Sequence, residues 1–244
     1  MLTLLGWGLA GAALVVGCLL KGAALSNLLS SSACVIVLGG TVAATLAQTP
    51  ASTLRRSIGL TRWLWRSPVA PLEDFIARVS TAARIARRHG VLALQQLVRE
   101  EPDRFLRHGL QLVLDGLDPV RLRKVLEARM QTIAEEDLEA SRVFESMGGY
   151  APTVGILGAV LGLMAVMQQL DDPQRLGPGI AAAFTATLYG IGAANLVFLP
   201  LAGKFELLIA QRLRQHRALT DGLVALAAGE SAQSIGWRMQ SDPT

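Results

Sequence analysis

Four long stretches of this chain of 244 residues contain no Asp, Glu, Lys, Arg or His. They cover residues 1–20, 22–54, 146–170 and 176–203. Because roughly 20 apolar helical residues cross the hydrocarbon core of a bilayer, each stretch can form one transmembrane helix. Two stretches precede a charged segment and two follow it. The pattern therefore predicts an all-α membrane protein with four transmembrane helices and a helical insert between spans 2 and 3.

The charged segment is typical of a solvated helical surface. Residues 51–145 hold 16 Lys and Arg and 13 Asp and Glu, interleaved along amphipathic sequence. No zinc-finger spacing and no long basic run occurs, so the net charge of +4 does not predict a nucleic-acid partner. Asp118-Pro119 is a helix start, and we expect that helix to run over 119–147 and to break at Gly148-Gly149.

Arginine placement predicts the orientation of the chain. Arg55, Arg56, Arg62 and Arg66 follow the second span, whereas the connectors 21–32 and 171–178 hold few basic residues. By the positive-inside rule, the central segment and both termini are cytoplasmic. The predicted parts are a transmembrane hairpin (1–50), a cytoplasmic helical domain (51–147), a second hairpin (148–203) and a cytoplasmic C-terminal helix and tail (204–244).

The predicted spans contain no carboxylate, lysine or histidine. Proton relays through a bilayer normally use buried ionisable groups, so a titratable group for ion conduction has to come from another chain. Residues 6–11 match the dinucleotide pattern GxGxxG, but they lie inside an apolar span, and we interpret these glycines as helix-packing residues. No Walker A, HExxH or GxSxG motif is present, which predicts no enzyme, no cofactor and no metal site.

Small residues and two prolines distinguish the third and fourth spans. Gly155, Gly158 and Gly162 follow a spacing that lets helices approach closely in lipid. Pro152 and Pro200 lie near the inner ends of the two spans, and each leaves a backbone carbonyl without its helical donor. We interpret them as a hinge pair at one depth in the membrane.

Three motifs together resemble a known family. Gly-Gly-Thr at 39–41 lies in the second span, Tyr-Ala-Pro-Thr-Val-Gly-Ile-Leu-Gly at 150–158 in the third, and Thr-Leu-Tyr-Gly-Ile-Gly-Ala-Ala-Asn at 187–195 in the fourth. The chain resembles MotA, the stator subunit of the bacterial flagellar motor, within the MotA/TolQ/ExbB proton-channel group. Two spans before the cytoplasmic segment favour the MotA branch, because TolQ and ExbB have one.

The resemblance implies a ring of five subunits in the bacterial cytoplasmic membrane around two MotB helices, each of which supplies an Asp. Pro152 and Pro200 match the prolines that couple ion passage to movement, and Thr187 matches the pore-facing threonine. Ala159 stands where sodium-driven relatives tend to have Thr, which indicates a proton-driven channel. Thr185 and Tyr189 complete the expected ion pathway, although Thr185 and Thr187 point to different sides, so at most one of them faces a pore.

The resemblance also implies a contact with the rotor protein FliG. The family motif has an Arg followed eight residues later by a Glu; here Arg87 takes the first place, with Arg88 beside it, and Gln95 takes the second. Glu100 and Glu101 supply negative charge further along the chain.

Other functions predict different sequence features. An ExbB-like or TolQ-like energiser of envelope processes shares the ion pathway but not the rotor contact. A solute transporter needs polar substrate-binding groups near the midplane, where these spans hold little beyond threonines and one asparagine. A purely structural scaffold predicts no ion flux with any partner.

Overall fold

The computed structural model describes residues 2–20, 29–168 and 173–240, which are mostly helical and contain no strand. The predicted all-α class is therefore confirmed. Parts of both predicted connectors, residues 21–28 and 171–172, lie outside the described residues. The α-helices are α1 (Leu2–Leu20), α2 (Ser31–Gln48), α3 (Ala51–Leu60), α4 (Leu72–His89), α5 (Gln95–Glu100), α6 (Arg104–Leu114), α7 (Pro119–Met167), α8 (Pro173–Gly192), α9 (Leu199–Ala227) and α10 (Ala232–Gln240).

The chain divides into two compact units. The first comprises residues 1–65 and 138–206, and the second comprises residues 66–137 and 207–244. Three described helices are long and apolar enough to cross a membrane: α2, α7 and the helical stretch Leu176–Ala227; Leu5–Leu20 is a shorter apolar helix. The chain is therefore a membrane protein.

Helix α7 corrects one sequence-based expectation. It has 49 residues and continues through Gly148, Gly149 and Pro152, so the predicted break at the two glycines is wrong. A helix that enters an apolar environment keeps its backbone hydrogen bonds internal, because no water is available to replace them. The second connector is also shorter than expected, because α8 begins at Pro173 and includes Arg175.

The second unit has a hydrophobic core formed by α4, α6, α10 and the parts of α7 and α9 that belong to it. The helix start predicted at Asp118-Pro119 is confirmed, because α7 begins at Pro119. Pro71 precedes α4, and Gly90 follows it with a φ of 79°, a left-handed conformation that glycine adopts without strain. Asp118 begins α7, where its Oδ1 accepts hydrogen bonds from the amides of Val120 and Arg121 at 3.1 Å.

His216 is a buried titratable group of this core. It is 4% exposed and stacks on Phe105, with ring centroids 4.1 Å apart and planes 6° from parallel. Burial lowers the pKa of His216 from 6.5 to about 4, and the positive charge of Arg212 acts in the same direction, against an opposing effect of Asp103. The imidazole is therefore neutral at physiological pH.

We expect acid to destabilise the second unit through this side chain. Between pH 6.5 and pH 4 the unfolded chain binds a proton at His216 that the folded chain does not, so stability falls as the pH falls through this range. A difference of this size corresponds to about 3 kcal/mol. Amide hydrogen exchange in α6 and α9 measures it, and His216→Phe should remove that part of the pH dependence. An unchanged pH profile in the variant would contradict the assignment.

Candidate functional site

Glycines bring α7 and α8 into backbone contact in the first unit. A Cβ atom placed on Gly155 would lie 2.9 Å from the carbonyl oxygen of Ala186 and 3.1 Å from the Cα of Gly190. A Cβ on Gly190 would meet the carbonyl oxygen of Ala151, and one on Gly162 would lie 3.1 Å from the Cβ of Ala183. The close approach predicted from the glycine spacing is confirmed.

Helix α2 packs against the same pair of helices. A Cβ on Gly40 would lie 2.7 Å from Cγ1 of Val154, and one on Gly158 would lie 3.2 Å from Cγ2 of Ile36. Thr41 is fully buried, and its hydroxyl donates to the carbonyl of Val37 at 2.6 Å. Gly40 and Thr41 of the Gly-Gly-Thr motif therefore serve helix packing, with the threonine hydroxyl satisfied by its own helix, whereas a Cβ on Gly39 would have no described neighbour within 4 Å.

The two prolines lie in neighbouring parts of α7 and α9. In α-helical register, Pro152 leaves the carbonyl of Gly148 without a donor, and Pro200 does the same to Leu196. A Cβ on Gly148 would lie 2.6 Å from Cδ2 of Leu199, so the turn before Pro152 touches the residue that precedes Pro200. Pro152 is half-buried and Pro200 is exposed.

A π-helical segment precedes Pro200, and the sequence analysis did not anticipate it. It covers Ala193–Phe198, and the amide of Leu199 donates to the carbonyl of Ala194, five residues earlier. π-Helical segments are rare in proteins, and many of those that are known lie at functional sites. Pro200 was the available signal, because a residue without an amide N–H disturbs the hydrogen bonding of the preceding turn.

The other expected pathway residues lie in different surroundings. Thr185 is buried, and its hydroxyl donates to the carbonyl of Ala181 at 2.9 Å. Tyr189 is half-buried, and its hydroxyl accepts the amide N–H of Ser30 at 3.2 Å, next to the start of α2. Thr187 and Ala159 are half-buried. The structure thus brings the turns around Pro152 and Pro200 together, while Thr185 lies in the helix packing and Tyr189 contacts α2.

The glycines at 6–11 do not pack against the rest of the chain. A Cβ on Gly6, Gly8 or Gly11 would have no described neighbour within 4 Å, so their interpretation as packing residues is wrong within this chain. The residue that makes the contact is Trp7, whose indole Nε1 donates to the carbonyl of Leu196 at 2.6 Å. No local pattern in the sequence pointed to this contact, because the two residues are 189 positions apart.

The expected rotor-contact residues lie at the α4–α5 region of the second unit. Arg87 and Arg88 are exposed in the last turn of α4, where positive charge is favourable at a helix C-terminus. Gln95 and Glu100 are exposed at the two ends of α5. Glu101 differs, because it is 8% exposed and its Oε1 lies 2.9 Å from Nη1 of Arg78.

A second bond occupies the same carboxylate oxygen of Glu101. It accepts the amide N–H of Asp103 at 2.9 Å, just before α6 begins. Glu101 therefore forms contacts inside the second unit. The surface of that unit carries the other four expected residues, Arg87, Arg88, Gln95 and Glu100. Over residues 2–20, 29–168 and 173–240, no group of three or more His, Cys, Asp or Glu side chains is placed to hold a metal ion.

Comparisons with known proteins agree on one family. A sequence model described as the MotA/TolQ/ExbB proton channel family matches residues 98–218. The chain is 32% identical to Motility protein A of Bacillus subtilis over 234 residues, which cover 96% of this chain and 87% of that protein.

Two solved structures resemble the whole fold. One is the MotAB structure of C. jejuni, with a TM-score of 0.88 and 26% identity, covering 99% of this chain and 96% of that one. The other is the flagellar MotAB stator complex of Bacillus subtilis, with a TM-score of 0.85 and 31% identity, covering 96% and 93%.

Proposed function

Because the chain belongs to the MotA/TolQ/ExbB proton channel family, we propose that it is a stator subunit of the bacterial flagellar motor. With a MotB-type single-span subunit it forms a proton channel and converts ion flow into torque on the rotor protein FliG. The function is transport coupled to movement rather than an enzymatic reaction. The motility names of its relatives and its similarity to two MotAB structures support this proposal.

The proposed topology has four spans in the inner membrane. The spans are α1, α2, the last part of α7 and the stretch 176–203, and both termini and the segment 51–147 are cytoplasmic. Three apolar helices of sufficient length and the shorter apolar α1 support it. The arginines that follow α2 support the orientation. The proposed boundaries are hairpins at 1–50 and 148–203, a cytoplasmic domain at 51–147 and a C-terminal part at 204–244.

One observation carries the proposed mechanism. The packed pair of helices around Gly155 and Gly190 contains no Asp, Glu, Lys, Arg or His from 146 to 168 or from 176 to 203. The proton therefore binds a carboxylate of the partner subunit, and protonation removes its charge in the low-dielectric pore. The resulting change in contacts moves the inner parts of the helices at Pro152 and Pro200, with Thr187, Ala159, Thr185 and Tyr189 along or beside the path.

Exposed apolar side chains of α7 and α8 support assembly into a ring, with five copies as the family implies. Such contiguous exposed apolar surface is typical of contacts with protein or lipid. The residues are 40–73% exposed in the isolated chain and comprise Ile156, Leu157, Val160, Leu161, Leu163 and Met164 on α7 with Ile180, Phe184, Leu188 and Ile191 on α8. Some of them then contact neighbouring subunits and the others contact lipid.

Reconstitution in liposomes tests the proposal. The purified chain alone should pass protons no faster than empty vesicles, because its spans contain no carboxylate, lysine or histidine to relay a proton. Addition of the partner subunit should produce a flux that its Asp→Asn variant abolishes. A large proton flux through the chain alone would refute the mechanism.

The rotor contact is proposed for the exposed charges of the α4–α5 region. Arg87→Glu with Arg88→Glu should strongly reduce swimming, while each single change should have a smaller effect, because a surface ion pair contributes only about 0–1 kcal/mol. Swimming speed in soft agar and in tethered-cell assays measures the loss. Arg107→Glu changes an exposed arginine on α6 and serves as the control. Normal swimming of the double variant would contradict this contact.

A further inference from the structure

The carbonyl of Leu196 has an unusual donor. This carbonyl lies in the π-helical segment, in the turn before Pro200, and Pro200 has no amide N–H to donate to that turn. The indole Nε1 of Trp7, on α1, donates to this oxygen at 2.6 Å. Because an unpaired carbonyl inside a bilayer is costly, a side chain of another helix that supplies the missing N–H stabilises the break in the fourth span.

The packing of Trp7 supports the same assignment. Its ring is half-buried against a cluster that contains Leu60, Ala140, Leu201 and Phe205. Two members of this cluster, Leu201 and Phe205, lie on α9 beyond Pro200. The glycines on both sides of Trp7 have no described neighbour within 4 Å of an added Cβ, so they do not contribute close packing to this contact.

We propose that Trp7 is a positioning residue for the coupling of ion passage to movement: its indole donates to the Leu196 carbonyl in the turn to which Pro200 supplies no amide N–H. This inference rests on the proposed stator function. The first span, α1, then has a specific role, because the Trp7 hydrogen bond links it to the π-helical segment before Pro200. Loss of the indole N–H should leave the segment free to adopt other arrangements.

The decisive change removes the N–H and keeps the shape. Benzothienylalanine incorporated at position 7 replaces the indole N–H by sulfur, and Trp7→Phe is a second variant that keeps an aromatic ring. Both are assembled with the single-span partner and examined as the full complex. Swimming speed should fall about fivefold, since one hydrogen bond shifts a two-state equilibrium by about that factor.

A spectroscopic measurement tests the contact independently of motility. The chain has four tryptophans, so ¹⁵N-tryptophan labelling of the complex in lipid bilayers gives four indole signals, and Trp7→Phe identifies that of Trp7. Its proton should resonate downfield, as expected for a short hydrogen bond. Pro200→Ala supplies a competing amide N–H and should move this signal upfield. An unchanged signal in Pro200→Ala would overturn the inference.

The control lies in the same cluster. Phe144 packs there against Phe205, with ring centroids 5.1 Å apart and planes tilted by 52°, so Phe144→Leu removes packing without removing an N–H. It should swim at nearly normal speed. If both N–H-deficient variants swim as fast as the parent, or Phe144→Leu is equally impaired, the positioning role is refuted while the stator function stands. The stator function fails separately if Pro200→Ala and Pro152→Ala both swim normally.

Discussion

Pro200→Ala is expected to abolish swimming while the flagella still assemble. Alanine restores the amide N–H that the Leu196 carbonyl lacks in α-helical register and removes the ring that opposes a continuous helix. The interruption formed by the π segment Ala193–Phe198 and Pro200 would then be replaced by regular helix. Pro152→Ala should have the same effect from α7, because the turn before it touches Leu199.

Tracking of swimming cells measures this loss, and electron microscopy confirms that filaments are present. Pro178→Ala is the matched control, because Pro178 is also inside an apolar helix but lies exposed near the start of α8. That variant should swim normally. Normal motility in both Pro152→Ala and Pro200→Ala would contradict a coupling role for the two prolines.

Gly190→Ala is expected to prevent accumulation of the assembled complex. The added Cβ would meet the carbonyl oxygen of Ala151, which is backbone and cannot rotate away as the end of a side chain can. Overpacking of this kind typically costs about 1–3 kcal/mol, and in lipid the contact of small residues is a main source of helix association. Swimming should be lost together with the complex.

The yield of complex from membranes and its thermal stability measure this effect. Gly192→Ala is the control on the same helix, because a Cβ there has no described neighbour within 4 Å. It should leave the yield unchanged or slightly improved, since alanine favours a helix by about 1 kcal/mol over glycine. Equal yields of the two variants would show that the close contact of α7 and α8 does not limit stability.

Local signals in the sequence located the start of α7 correctly. Asp118 and Pro119 act within one turn of the backbone, so they mark a helix start wherever the segment lies in the fold. The same local reasoning placed a break at Gly148-Gly149, where the helix continues. Glycine lowers helix stability only modestly, and an apolar environment that lacks competing water outweighs that preference.

Residue type alone was a weaker guide to the candidate sites. Glu101 was expected at the rotor surface with Glu100, yet it is buried and paired with Arg78. The two adjacent glutamates thus have different environments. Glu100 is the last residue of α5, whereas Glu101 lies just beyond the end of that helix. The family resemblance still indicated the residues that carry the proposed coupling, Pro152 and Pro200.

The absence of Asp, Glu, Lys, Arg and His from the four apolar stretches is a property of composition, and no folding of the chain can change it. The sequence by itself therefore determined this deficit and the prediction that follows from it, that a proton pathway uses a carboxylate from a second polypeptide. Tertiary structure alone decided that the Trp7 indole meets the Leu196 carbonyl and that Gly190 meets Ala151. Those contacts join residues distant along the chain, and their geometry arises only when the helices pack together.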